Sequence, residues 1–324
     1  MSSKCAAFWH HVNIRNDNRV FPCCRFKFPI GEFTGDLSTV LDSSAYDDLR
    51  KKSNSGEPIA ACQKCYHEEA QGRSVSLRQQ FNAEYDTDAV ELNYLEIGFD
   101  NICNLTCDAC SEDYSSSWSK KLYPDAESHV HIRTTKKITK VPKSITRISF
   151  HGGEPLMTSR HTKLLATINN RSKVSIQYNT NGSFLLDDRS IELLKECKEV
   201  KFILSIDGYG QLNEQVRGGS SWQDTLNFIE QIKSLPFELI VHTTIHRNNW
   251  QGLPELEKFV RLQGLFWRNN IVTYPRHLDI ATIEDPTEVI KVIKQINIPE
   301  QEFIINHITH KDHESKINFI KPTE

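Results

Sequence analysis

Three cysteines within eight residues, Cys103, Cys107 and Cys110 in DNICNLTCDAC, have the types and spacing best suited to chemistry. A Cys-x3-Cys-x2-Cys loop can curl around a single metal centre. Three thiolates on a cubane 4Fe-4S cluster leave one iron without a protein ligand, so an exogenous molecule can chelate it. Structural zinc is the alternative and wants a fourth ligand. Asp108 could be offered, but no further Cys or His stands near the triplet. Five more cysteines (Cys5, Cys23, Cys24, Cys62, Cys65) fall in the first 65 residues, whereas Cys197 stands alone in the amphipathic pattern IELLKECKEV. A lone thiol in such a pattern reads as a small core residue.

Downstream of the triplet, polar and glycine-rich turns recur. SFHGGEP brings Gly152, Gly153 and Glu154: glycines admit close backbone approach, and the carboxylate with exposed carbonyls can accept from an ammonium group. QYNTNGS brings Asn179 and Asn181, and LSIDGYGQLNEQVRGG brings Ser205, Asp207 and Arg217. Short polar side chains of this kind suit a ribose, and Arg217 suits a carboxylate. Each turn taken singly has an ordinary structural reading; their order on consecutive strand ends sets them apart.

The elements that must position these residues are short β-rich runs alternating with helical segments: LNYLEIGF, RISFHG, VSIQYN, FILSID, LIVHTTI and IVTYP. The later starts, at Arg147, Val174, Phe202, Leu239 and Ile271, are 27, 28, 37 and 32 residues apart, as βα repeats of a parallel sheet require. Six units occupy too little chain for a closed eight-unit barrel of ~250 residues, so the expected fold is α/β, a partial (β/α)6 TIM-like barrel. In a parallel barrel, active sites are built at the C-terminal strand ends, where the triplet and the polar turns fall. Ahead of it, residues 1 to about 85 read as a small irregular module, with a hairpin turning at Asn16 to Asn18 and too few large aliphatics to fold without a metal or other staple. The tail after Tyr274 predicts one helix from about Pro286 to Ile296 plus short pieces, and the run Ser115 to Ser117 predicts a solvated loop.

Composition excludes several classes. Among 324 residues, 39 Lys plus Arg stand against 42 Asp plus Glu, a net charge of −3 that gives no global basic field for nucleic acid or an anionic membrane. No apolar run reaches membrane-spanning length, and MSSKCAAFWHH lacks a signal-peptide core, so a cytoplasmic protein is expected. Structural disulfides are rare in that compartment. His10 and His11 read as packed or surface residues, His151 as a hydrogen-bonded strand-end residue, and His307, His310 and His313 as part of a solvated tail.

Residues 92 to 275 resemble the radical S-adenosylmethionine (SAM) enzymes. Cys103, Cys107 and Cys110 match the cluster loop of that family, and Gly152, Gly153, Glu154 and Pro155 match its SAM-amino motif. Asn179, Asn181, Ser205, Asp207 and Arg217 are similar to its ribose and carboxylate contacts. One departure is Ala109, where the family commonly has an aromatic residue, and it affects side-chain packing near the adenine. Cys5, the hairpin, Phe-Pro-Cys-Cys and Cys62-Gln-Lys-Cys65 resemble a twitch module, related to SPASM domains. In many relatives that module follows the barrel; here it precedes it.

The resemblance implies an auxiliary 4Fe-4S cluster on Cys5, Cys23, Cys62 and Cys65, Cys23 being taken over Cys24 on the family pattern, with four-cysteine zinc as the alternative. It divides the chain into an auxiliary-cluster module (1–88), a partial barrel (89–275) and a C-terminal extension (276–324). It further implies reductive cleavage of SAM to a 5'-deoxyadenosyl radical that abstracts hydrogen from a peptide or protein substrate, with a flavodoxin- or ferredoxin-type electron donor. The alternatives are dehydrogenation of a sugar or nucleoside, and a zinc or iron-sulfur scaffold without catalysis.

Overall fold

Alternating apolar residues in the first ninety residues build three short strands, β1 (His11–Ile14), β2 (Arg19–Phe21) and β3 (Gly31–Glu32), in the computed structural model, which describes residues 3–309. Asn18 takes a positive φ of 68° in the β1–β2 turn, a conformation asparagine tolerates better than most residues. Around the hairpin lie α1 (Ala7–His10), α2 (Ser44–Ser55), α3 (Gln63–Ala70) and α4 (Leu77–Glu84). Ser76 and Gln79 form a reciprocal capping box that starts α4.

Eight further strands follow: β4 (Tyr94–Gly98), β5 (Thr106–Cys107), β6 (Arg147–His151), β7 (Ser175–Thr180), β8 (Glu199–Ser205), β9 (Arg217–Gly218), β10 (Glu238–Ile245) and β11 (Phe266–Ile271). Between or after them come α5 (Ser116–Leu122), α6 (Arg160–Ala166), α7 (Asp188–Lys195), α8 (Gln211–Val216), α9 (Trp222–Lys233), α10 (Leu253–Gln263), α11 (Thr287–Gln295) and α12 (Gln301–Thr309). Strands β4, β6, β7, β8, β10 and β11 pair in parallel in that order, the six-unit α/β arrangement expected. The last strand begins at Phe266 rather than Ile271. FWRNNI hides its strand character because it is an edge strand with an exposed Phe266 and three polar residues.

The front module is joined to the barrel through its backbone. β1 runs parallel to β4, with His11 opposite Tyr94 and Ile14 opposite Ile97, while β2 and β3 continue the sheet antiparallel. One apolar core then spans both parts, from Phe8, Val12 and Tyr46 to Leu95, Ile97 and Ile148. At the far end, α12 reaches back to the module: Asn306 Nδ2 donates to the Gln71 carbonyl (3.0 Å), and the Arg73 guanidinium lies 5.4 Å from the Phe303 ring centre. His307, expected in a solvated tail, is buried on α12 and bonds Asp279 Oδ1 at 2.8 Å; His310 and His313 lie outside the described residues. Among the described residues no helix is long and apolar enough to cross a membrane.

Strand alternation separates two faces. Ile148, Phe150, Ile176, Tyr178, Val200, Phe202 and Leu204 point outward and are buried under helices. Their neighbours Ser149, His151, Gln177, Asn179, Lys201 and Ser205 share the inner face. A closed barrel fills its interior with branched aliphatics, whereas this inner row, Ile203 and Ile240 apart, is polar, as a lumen that admits water and ligand must be.

Behind β7, Phe150, Tyr178 and Phe202 stack at 4.9 and 5.1 Å between ring centres, and His161 Nδ1 meets the Tyr178 hydroxyl at 2.9 Å. Burial, only partly offset by Asp187, pushes the His161 pKa down to about 4. The unfolded chain therefore binds the proton first, so folding stability should fall as pH drops from about 6.5 toward 4, by on the order of 2–3 kcal/mol. Urea unfolding across that range should show the loss. The slope should flatten in His161→Asn, which can keep the Tyr178 bond without titrating; an unchanged slope would assign the loss elsewhere.

Candidate active site

The loop leaving β4 carries the cysteine triplet and is held almost entirely by backbone carbonyls. Ser115 Oγ donates to the Leu105 carbonyl (2.6 Å), Ser117 Oγ to that of Cys103 (2.7 Å), and Trp118 Nε1 to that of Cys107 (2.9 Å). The Ser115 to Ser117 run, expected as a solvated loop, thus caps and starts α5 against the cysteine loop, with Ser115 and Ser116 buried. From the other side β5 pairs with β9, setting Cys107 opposite Arg217, and the Asp108 N–H donates to the Val216 carbonyl at 2.8 Å.

All eleven residues expected around the SAM cluster line one open cavity of about 220 Å³: Cys103, Cys107, Cys110, Gly152, Gly153, Glu154, Asn179, Asn181, Ser205, Asp207 and Arg217. Ala109, Tyr114, His151, Thr180 and Thr244 complete the wall. Of these, Tyr114, Thr180 and Thr244 carry no spacing signal in the sequence. Thr244 could have been found from its inward parity on the fifth barrel strand.

The glycine turn approaches the cysteine loop backbone to backbone. Gly153 N–H donates to the Asp100 carbonyl (2.9 Å) and Glu154 N–H to that of Ile102 (2.7 Å). Glu154 is 1 % exposed and accepts from Thr180 Oγ1 (2.8 Å), Leu156 N (3.1 Å) and Asn181 N (2.7 Å). Burial nevertheless raises its pKa. A carboxylate offers about four acceptor sites, so three are spent on fixing the two strand ends and one remains for a ligand. Asn181 Nδ2 bonds Asn104 Oδ1 at 2.9 Å, tying the third strand end to the cysteine loop.

Asp207 is similarly committed: Oδ2 accepts from Arg217 Nη1 (2.6 Å) and Oδ1 from Thr244 N (2.7 Å). Arg217 is buried, and its Nε finds no hydrogen-bond acceptor. Such a donor calls for an acceptor. Burial raises the thiols, Cys103 to about 11 and Cys110 to about 12; Cys107 is raised by burial too, but the Arg217 charge pulls it back.

Cys5, Cys23, Cys62 and Cys65 line a second, small cavity with Phe8, Phe26, Leu77, Phe81, Arg25 and Arg78. Cys24 lies outside it and is exposed. The adjacent cysteines thus face different ways in the turn that follows β2. Burial lifts Cys5 and Cys62 to about 12, so free thiols here resist ionisation. A bound metal centre would draw them out as thiolates. Cys197 follows α7, donates to the Leu193 carbonyl at 3.5 Å and packs on the core.

Residues 98–260, half of the chain, match the Radical SAM superfamily. The chain belongs to that superfamily. Residues 5–66 match SPASM, an iron-sulfur cluster-binding domain. The cofactors of this radical SAM protein are accordingly 4Fe-4S clusters and SAM. The sporulation killing factor maturation protein SkfB of Bacillus subtilis (strain 168) is 28% identical over 168 residues, 51% of this chain and 39% of that protein. The GTP 3',8-cyclase of Alkaliphilus oremlandii (strain OhILAs) is 28% identical over 181 residues, 53% and 52% of the two chains. The chain thus spans about two fifths to one half of these curated relatives. Solved chains that superpose include native anSMEcpe with bound AdoMet (TM-score 0.43, 18% identity, covering 63% of this chain and 58% of that one). Another is Streptococcus suis SuiB bound to precursor peptide SuiA (TM-score 0.43, 12% identity, covering 85% and 56%).

The residues present fit these cofactors. Three soft thiols face the first cavity without a fourth ligand: Asp108 is turned away to Asn248 Nδ2 (2.8 Å), and His151 Nε2 is 3.1 Å from Asn13 Nδ2. A Cβ on Gly153 would lie 2.2 Å from the Ile102 carbonyl oxygen, so the cradle exists only with glycine. Among the described residues no three His, Cys, Asp or Glu side chains gather tightly enough for a single metal ion.

Proposed function

We propose that this chain is a radical SAM enzyme that modifies a peptide or protein. Cys103, Cys107 and Cys110 hold the SAM-binding cluster, and Cys5, Cys23, Cys62 and Cys65 hold an auxiliary one. The observation that carries the proposal is the convergence of the three thiols with Glu154, Asn181 and Arg217 on one cavity at the C-terminal strand ends. When bound and reduced, the cluster supplies one electron to SAM and so generates the 5'-deoxyadenosyl radical that abstracts hydrogen.

The protein's own work is placement. Glu154 offers its remaining acceptor site to the SAM ammonium, and Arg217 offers Nε to its carboxylate. Asn179 and Ser205 face the ribose, while Asp207 holds Arg217 rather than meeting the ligand alone. Apolar Phe8, Phe26 and Phe81 shield the second site from water, which favours electron transfer over substrate ligation there. A flavodoxin- or ferredoxin-type donor would deliver the electron. The division into residues 1–88, 89–275 and 276–324 separates these tasks.

The SPASM-type match and the likeness to a maturation protein support a peptide substrate. A nucleotide substrate is the second reading, favoured by the likeness to GTP 3',8-cyclases. Anaerobically reconstituted protein should carry about eight irons, two cubanes, and release 5'-deoxyadenosine from SAM with dithionite. A colourless protein with stoichiometric zinc would sink the enzyme assignment. Deuterium transfer into 5'-deoxyadenosine from labelled GTP, and none from labelled peptide, would select the nucleotide.

A further inference from the structure

The lumen beside the SAM cavity carries more positive charge than the protein's own carboxylates neutralise. On β10 and β11, His242 stands opposite Arg268, and His242 also stands opposite Ser205 of β8. The outward positions are fixed by Trp267 Nε1, which donates to Thr243 Oγ1 (2.9 Å), and by Ile245 and Ile271, which lie in the outer core. His242 and Arg268 therefore share the inner face with Thr244 and Ser205, both of which line the SAM cavity. Arg268 is exposed and His242 half-buried.

The other wall comes from the module. Arg25 lines the auxiliary cavity, and its charge, with that of Arg268, acts on His242. Arg25 and Arg73 share a single carboxylate, Glu68, the latter at 3.0 Å. Lys64, one residue before Cys65, is half-buried beside Arg25, and neither its side chain nor that of Arg268 makes a hydrogen bond or ion pair among the described residues. Other nearby carboxylates are occupied: Asp207 by Arg217, Glu69 by Arg78, and Glu96 by Asn13 (2.9 Å) and His11 (3.3 Å). Arg25, Arg73 and Lys64 thus stand around one carboxylate, and Arg268 has no ion-pair partner among the described residues. Burial and these like charges outweigh Asp207 and push the His242 pKa down to about 4.

We propose that Lys64, Arg25, His242 and Arg268 form the substrate's anchoring site, binding an oxyanion, carboxylate or phosphate, between the two cluster sites. A low-dielectric cleft lined by one sign of charge focuses its field and raises the local concentration of the opposite charge. Two forked guanidiniums suit the planar or tetrahedral array of such a group. His242, kept neutral, adds an N–H donor without further charge. This anchor rests on the radical SAM reading and narrows its substrate class to anionic ones.

Isothermal titration of the two-cluster protein with inorganic pyrophosphate and, separately, with a triglutamate peptide tests the site. At least one should bind and weaken tenfold or more in Arg268→Gln and in Lys64→Met, with recovery in Arg268→Lys and loss at high salt. The tighter probe identifies the source, phosphate or acidic peptide. Binding unchanged in both loss-of-charge variants would overturn the site. If wild-type protein releases 5'-deoxyadenosine yet binds neither probe, the anchor is wrong and the radical SAM reading stands. If it binds but releases none, the reverse holds.

Discussion

Replacing Cys107 by Ala should abolish reductive SAM cleavage and lower the iron content from about eight to about four, leaving the auxiliary cluster in place. The substitution isolates ligation because the backbone at this position is held independently. The Cys107 carbonyl accepts from Trp118 Nε1, and its strand pairs with Arg217–Gly218. The loop therefore keeps its course when the sulfur is removed, and unfolding should be little changed. Anaerobic iron analysis, electron paramagnetic resonance of the reduced protein and chromatography of 5'-deoxyadenosine read the effect. Retained cleavage would refute the assignment of the triplet. Cys5→Ala should do the opposite, removing the other half of the iron.

Gly153→Ala is expected to be nearly as severe for a different reason. Its Cβ would sit 2.2 Å from the Ile102 carbonyl oxygen and 2.6 Å from the carbonyl carbons of Ile102 and Asn101. These are backbone atoms of the loop that carries Cys103, so no side chain can swing aside. The loop must move, at a cost of ~1–3 kcal/mol in stability. Misplacement of about 1 Å at a reacting centre can cost on the order of a hundredfold in rate. SAM affinity and 5'-deoxyadenosine release should both fall by about that factor. Gly31→Ala is the control: nothing lies within 4 Å of its Cβ, and the change should stay within about 0.5 kcal/mol of wild type. Equal effects at the two glycines would remove close approach as the cause.

What could be read in the sequence was local. The cysteine triplet, the Gly-Gly-Glu-Pro turn and the polar residues at the next two strand ends each announce themselves within a few residues, and parallel pairing brings them onto one cavity. The β1–β2 hairpin was likewise written in its asparagine-rich turn. Hidden features depend on distant pairing. His11 meets Tyr94 across more than eighty residues, and no short-range pattern encodes that register. Arg25, Lys64, His242 and Arg268 lie in four separate segments, so their joint charge emerges only in three dimensions. The edge strand β11 was misplaced because solvent exposure removes the apolar pattern on which strand recognition depends. Glu154 and Asp207 looked like free ligand contacts, yet Glu154 accepts three hydrogen bonds and Asp207 two inside the protein.

The parallel seam between β1 and β4 has a bearing on how the chain can be dissected. Strand Tyr94–Gly98 has Leu95 and Ile97 fully buried, and cutting away the hairpin would make it the sheet's outermost strand and strip the buried Glu96 of Asn13 and His11. An edge strand with unpaired N–H and C=O groups is a template for pairing with another copy. The barrel half expressed alone should therefore aggregate rather than persist as a smaller functional unit. Exchange of the front module between relatives would succeed only where the donor brings a strand of matching register, which makes the seam a stricter boundary condition than the cluster ligands themselves.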